Sequence, residues 1–165
     1  MQPTNHLTNL NELGFSIQRC VLSEDEVCEL ISACDELKTV AAEATKDFFH
    51  GETFFGLSRG LDPFDKEHGR TTPLPGALQR VTYPYRQFPV FNKYRVHPHI
   101  IAVVQNILGD DLVQIVNQVN FNTPGQSRGW GWHQDYRFRK QGLKHPEKSY
   151  VQCLIALDPC NAERG

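Results

Sequence analysis

The sequence predicts an α+β chain. A helix is announced by a capping box at Ser23 and Glu26, and a second is opened by Pro98 and stopped by Gly109. After residue 111 the apolar pattern changes to a two-residue period, the mark of strands. Helices before strands point to helices packed outside a sheet.

Taken in order, residues 14–22 read as a short strand, because Phe15, Ile17, Arg19 and Val21 share one parity. Behind Ser23, Val27, Leu30, Ile31, Cys34 and Leu37 recur at helical spacing and predict an amphipathic helix over 24–42. Residues 50–79 are punctuated by Gly51, Gly56, Gly60, Pro63, Gly69, Pro73, Pro75 and Gly76, which predicts a functional loop or lid, a poorly ordered stretch being the equal alternative. Ile100, Ile101, Val103, Val104, Ile107 and Leu108 then give a helix from Pro98. Residues 112–122 read as a strand, 130–136 as a short aromatic segment, and 149–157 as a strand with Val151, Cys153, Ile155 and Leu157 on one face.

The strand at 112–122 has two unlike faces. One carries Val113, Ile115, Asn117, Val119 and Phe121; the other carries Leu112, Gln114, Val116, Gln118, Asn120 and Asn122. An amide-rich face is either an outward face in water or the wall of a polar cavity, and periodicity alone leaves both open.

Composition narrows the function classes. The 165 residues suit one domain over 1–165, and 17 Lys and Arg against 19 Asp and Glu give no basic field for nucleic acid. The apolar run at 100–104 is too short to cross a membrane, and the N-terminus shows no secretory signal. Five cysteines without a Cys-x-x-Cys pair argue against a zinc ribbon and for a reducing, cytoplasmic setting, with the three near the first helix expected as small core residues. No nucleophile elbow, phosphate-cradling loop or His-Glu-x-x-His is present.

Seven histidines supply the metal candidates. In His133-Gln134-Asp135, residues two apart in an extended segment point the same way, so imidazole and carboxylate converge as two legs of a 2-His-1-carboxylate triad for Fe(II). Trp130, Trp132 and Tyr136 surround the pair and suggest a shielded site, a packed core turn being the alternative. His50-Gly51-Glu52 and His145-Pro146-Glu147 share the spacing but are broken by Gly or Pro. His97 and His99 flank Pro98 without a nearby carboxylate and read as surface or capping residues. A dicarboxylate would need one fixed cation, drawn from Arg80, Arg86, Lys93, Arg95, Arg128, Arg137 and Arg139.

Several blocks together resemble the phytanoyl-CoA dioxygenase family. They are residues 116–125, the run Trp132-His133-Gln134-Asp135, the segment ending Ala156-Leu157-Asp158, the opening from Gly14 to Glu26, and Val96-His97-Pro98-His99 leading to Gly109. The resemblance implies a double-stranded β-helix (a cupin-like jelly roll), here partial, with the N-terminal helices packed outside. It implies Fe(II) and 2-oxoglutarate as cofactor and co-substrate, with His133 and Asp135 as iron ligands and catalytic residues. Gln118 falls where relatives place a pocket amide, Asn120 shares its face, and Arg80 matches a basic position near the co-substrate. The amide-rich face then becomes cavity-facing.

In that family a second iron histidine and a basic residue that clamps 2-oxoglutarate follow the segment at which this sequence ends, so the expectation is the N-terminal part of a jelly roll. The implied reaction is O₂-dependent hydroxylation of a small organic substrate. Asp135, which related halogenases lack, favours hydroxylation over halogenation. The rival readings are a non-catalytic jelly-roll module binding a ligand or partner, an inactive fragment, and a cupin-type isomerase or hydrolase using another metal.

Overall fold

The structure is a computed structural model that describes residues 6–61, 71–122, 150–159 and 161. In chain order the elements are α1 (His6–Leu13), α2 (Glu24–Ala41), β1 (Phe48–His50), β2 (Thr53–Leu61), β3 (Thr71–Thr82), a 3-10 turn at Pro84–Arg86, α3 (Pro89–Arg95), α4 (Pro98–Leu108) and β4 (Gln118–Asn120). This is a mixed α+β arrangement around an antiparallel sheet. The described residues divide into two compact units, one within Cys28–Arg95 and Gln114–Gly131, the other within Met1–Val27, Val96–Val113 and Trp132–Gly165.

The first unit holds the four-stranded sheet, in the order β1-β2-β3-β4 with every neighbour antiparallel. β1 and β2 form a hairpin in which His50 pairs with Thr53 and Gly51 turns the chain at φ +58°. Between β2 and β3 the register shifts twice, between Gly56 and Leu57 and between Leu57 and Arg59. The Asp47 carboxylate takes the Leu57 N–H at 3.0 Å, so a donor freed at the bulge is satisfied. Past the bulge β3 leans on the chain after α2. The Gly76 N–H donates to the Ala44 carbonyl at 2.8 Å, and a Cβ at Gly76 (φ +68°) would lie 2.6 Å from the Ala42 carbonyl oxygen.

From residue 28 onward α2 belongs to this unit and buries Leu30, Ala33, Cys34, Leu37 and Ala41, the stripe its 3.6-residue period dictates. On the sheet Phe55, Val81 and Phe121 are buried, and Lys38 of α2 stands 5.8 Å from the Phe121 ring. Each fully buried apolar side chain here contributes about 1.5–3 kcal/mol. α3 is pinned to α2 by Glu29, which accepts from Lys93 Nζ at 2.6 Å and from the Tyr94 hydroxyl.

In the second unit the capping box forms as the sequence predicts. The Ser23 N–H donates to Glu26 Oε2 at 2.9 Å and the Glu26 N–H to Ser23 Oγ at 3.3 Å. α4 starts at Pro98 and its Gly109 stop has φ +90°. No helix among the described residues is long and apolar enough to cross a membrane.

Four expectations are corrected. Residues 14–22 form no strand: Phe15 and Ile17 are 56% and 59% exposed and Cys20 has φ +55°, because alternation yields a strand only beside a partner. The segment 50–79 is not a loop throughout but holds β2 and most of β3, with Gly51 at the hairpin, Gly56 beside the first register shift and Pro75 and Gly76 in the unpaired stretch of the second, where ladder bonds are missing anyway. The strand at 112–122 is regular only over Gln118–Asn120, and 150–157 has no strand among the described residues. Of the three cysteines expected in the core, only Cys34 is buried; Cys20 and Cys28 are exposed.

Candidate functional site

Residues directly opposite each other on paired strands share a face, so the register fixes what the sheet presents on each side. One row runs Phe48–Phe55–Val81–Val119 and belongs to the packed side. The rows beside it, Phe49–Phe54–Thr82–Gln118 and Gly56–Arg80–Asn120, face the other way. Arg80, Gln118 and Asn120, three of the sequence-derived site residues, therefore lie together: Arg80 pairs directly with Asn120, and Gln118 sits one step along on the same side.

The local chemistry of this side is polar on β3 and β4 and aromatic on β1 and β2. Gln118 Nε2 donates to Asn120 Oδ1 at 2.6 Å, leaving the Asn120 NH₂ as donor and the Gln118 carbonyl as acceptor. The Arg80 guanidinium carbon stands 5.7 Å from the centre of the Phe54 ring, and Phe49 meets Phe54 at 5.3 Å with the rings tilted by 58°. Gly56, opposite Arg80, supplies no side chain; a Cβ there would come 3.2 Å from Arg80 Cγ. No carboxylate pairs with Arg80 among the described residues.

The register that aligns Arg80 with Asn120 is held from the turn after β3. Tyr83 (φ +58°) donates its N–H to the Asn117 carbonyl at 2.8 Å and its hydroxyl to the Ile115 carbonyl at 3.2 Å, while Thr53 Oγ1 donates to the Tyr83 carbonyl at 3.0 Å. The Phe121 N–H donates to the Gln79 carbonyl at 2.7 Å at the other end of the pairing.

His133 and Asp135 lie outside the described residues, as do Trp130, Trp132, Tyr136, Arg128, Arg137, Arg139, His145 and Glu147. Among the described residues, no group of three or more His, Cys, Asp or Glu is arranged to hold a metal. His50 stacks near Phe55 and Phe88, and Glu52 faces Arg86 at 3.7 Å. His97 departs from its reading as a histidine without a carboxylate. It is buried, with Nε2 3.5 Å from Glu26 Oε1, and its ring meets His99 edge-on at 5.2 Å. The capping carboxylate of α2 thus does a second job that sequence spacing could not show.

Sequence reasoning also missed Phe54 and Gly56, because the segment that holds them read as a loop. Their signal was the alternation Thr53, Phe55, Leu57 against Phe54, Gly56, hidden among Gly and Pro residues.

The described elements are those of an α+β chain whose antiparallel sheet is apolar on one side and bears amides and a guanidinium on the other. The phytanoyl-CoA dioxygenase (PhyH) family model matches residues 10–165, and the chain belongs to that family. No curated protein and no solved structure matches the chain.

Proposed function

We infer that the chain carries part of the active site of an Fe(II)- and 2-oxoglutarate-dependent dioxygenase that hydroxylates a small organic substrate with O₂. Membership of the family supports the reaction class. The observation that carries the reading to residues is the convergence of Arg80, Gln118 and Asn120 on the side of the sheet opposite its packed core.

His133 and Asp135 would hold the iron. An imidazole and a carboxylate two residues apart would supply two of the three legs of a 2-His-1-carboxylate set, a donor chemistry that suits Fe(II). When bound, iron and 2-oxoglutarate would supply the oxidative chemistry that consumes O₂ and releases succinate and CO₂. The chain's own residues bind and orient. Arg80 receives a carboxylate of the co-substrate through paired N–H donors, and the Asn120 amide adds a further donor beside it. Gln118 fixes the Asn120 amide by accepting none of its hydrogens and occupying its oxygen. The buried Phe55 and Val81 on the opposite side keep this wall from shifting as ligand enters.

The test is Fe(II) titration and succinate release by the full-length protein carrying this sequence, with and without 2-oxoglutarate, beside Asp135→Ala. The expected result is succinate release that requires both iron and 2-oxoglutarate and is lost in the variant. Absence of any such release over a substrate panel, coupled or uncoupled, would reject the enzyme and leave a non-catalytic binding module.

A further inference from the structure

We propose that Phe54 and Gly56 are positioning residues for Arg80: the ring gives the guanidinium a fixed seat and the glycine gives the side chain room to reach it. This rests on the reading of the Arg80–Asn120 side as the wall that receives a carboxylate.

An arginine side chain has four rotatable bonds before its planar head, and on an open sheet face it samples many of them. Three features restrict Arg80. Its guanidinium carbon lies 5.7 Å from the Phe54 ring centre, within the range of a cation over an aromatic face. Phe54 is itself braced by Phe49 at 5.3 Å. The residue directly across the ladder is Gly56, where a Cβ would stand 3.2 Å from both Arg80 Cγ and Phe54 Cε1, and 3.4 Å from Arg80 Nε. Any side chain at 56 would push into the stem of the arginine and the edge of the ring at once. The glycine here answers to close approach and not to backbone shape, since its φ is not in the left-handed region.

The arrangement also has a charge logic. No carboxylate competes for Arg80 among the described residues, and the ring holds the cation without neutralising it. The guanidinium is therefore oriented but its donors remain available. One guanidinium beside two primary amides can meet a planar carboxylate with paired donors. The ligand class of this subsite is a carboxylate, and Phe54 with Gly56 sets where its oxygens are met.

Glutarate, which carries the carboxylates but lacks the keto group that chelates metal, is the probe. It is titrated into the metal-free full chain while the side-chain amide resonances of Gln118 and Asn120 are followed by NMR. The ring series Phe54→Tyr, Phe54→Trp and Phe54→Leu separates aromatic character from bulk, and Gly56→Ala tests the room. The expected result is saturable shifts of both amides in the wild type, affinity within about threefold in Tyr and Trp, and a loss of roughly three- to tenfold in Leu and in Gly56→Ala. Equal affinity in Leu and Trp, with the fold intact by thermal midpoint, overturns the proposal. Should Gly56→Ala not fold, the ring series decides alone. Wild-type protein that leaves both amide resonances unmoved rejects the wall reading itself, whereas failure of the dioxygenase reading is read separately in iron-dependent succinate release.

Discussion

Phe54 and Phe55 are neighbours in sequence and opposites in role. Phe55 is fully buried, stacked on Phe48 at 4.8 Å between ring centres and met edge-on by Phe88 at 6.4 Å. Phe54 faces the other way, toward Arg80 and Phe49, and Phe49 is 69% exposed. The same alternation runs through β3 and β4, with Val81 and Val119 on the packed side and Arg80, Gln118 and Asn120 on the other. One side of the sheet is committed to folding, and the side chains of the other are released from that duty and available for a ligand.

The largest effect belongs to the packed side. Phe55→Ala should lose about 3–5 kcal/mol of stability by urea unfolding, because the ring is wholly enclosed and its loss leaves a cavity. A loss below about 1 kcal/mol would mean that the packed side is not the core. Next comes the place where β3 bears on the chain after α2. Gly76→Ala combines a positive φ with a Cβ 2.6 Å from the Ala42 carbonyl oxygen, and should cost about 1–3 kcal/mol in the same assay. On the opposite side, Gln118→Ala should stay within about 0.5 kcal/mol of wild type, since the side chain is exposed. It should nonetheless weaken 2-oxoglutarate binding several-fold by freeing the Asn120 amide. Equal losses of stability in Phe55→Ala and Gln118→Ala would erase the distinction between the sides.

The smallest effect is the pH dependence of the clamp between α2 and α3. The Lys93 hydrogen bond, and after it that of Tyr94, holds the Glu29 carboxyl below its ordinary value of 4.5. A lowered folded-state value gives stability that is present above the ordinary value and lost as pH falls through the lowered one. Glu29→Gln should therefore be less stable than wild type at neutral pH, with the gap closing on acidification below the ordinary carboxylate range. The pair is exposed, so the shift in urea midpoint should be minor. A gap that widens in acid would contradict the assignment.

The helices were legible because their signals are local. Ser23 with Glu26 and Pro98 with Gly109 mark ends by hydrogen bonds that close within a turn, and α2 and α4 begin and end within a residue of the expected places. The strands were not, because a strand is defined by a partner far away in sequence. β2 and β3 were hidden by the glycines and prolines that make their bulges, and residues 14–22 alternated without a partner to pair with. Gln118 and Asn120 shared a face by alternation, Arg80 joined them through family resemblance, and the register places the three on one side of the sheet. Phe54, Gly56 and the Glu26–His97 contact became visible only in three dimensions.

The most direct measurement of the central claim, that the unpacked side of the sheet receives a carboxylate, is the affinity of the Fe(II)-loaded protein for 2-oxoglutarate in wild type and Arg80→Gln, taken beside their unfolding free energies. Arg80→Gln should lose roughly tenfold or more in affinity, as expected for a charge-assisted hydrogen bond, with stability within about 0.5 kcal/mol of wild type. Unchanged affinity in a stably folded Arg80→Gln would contradict the claim.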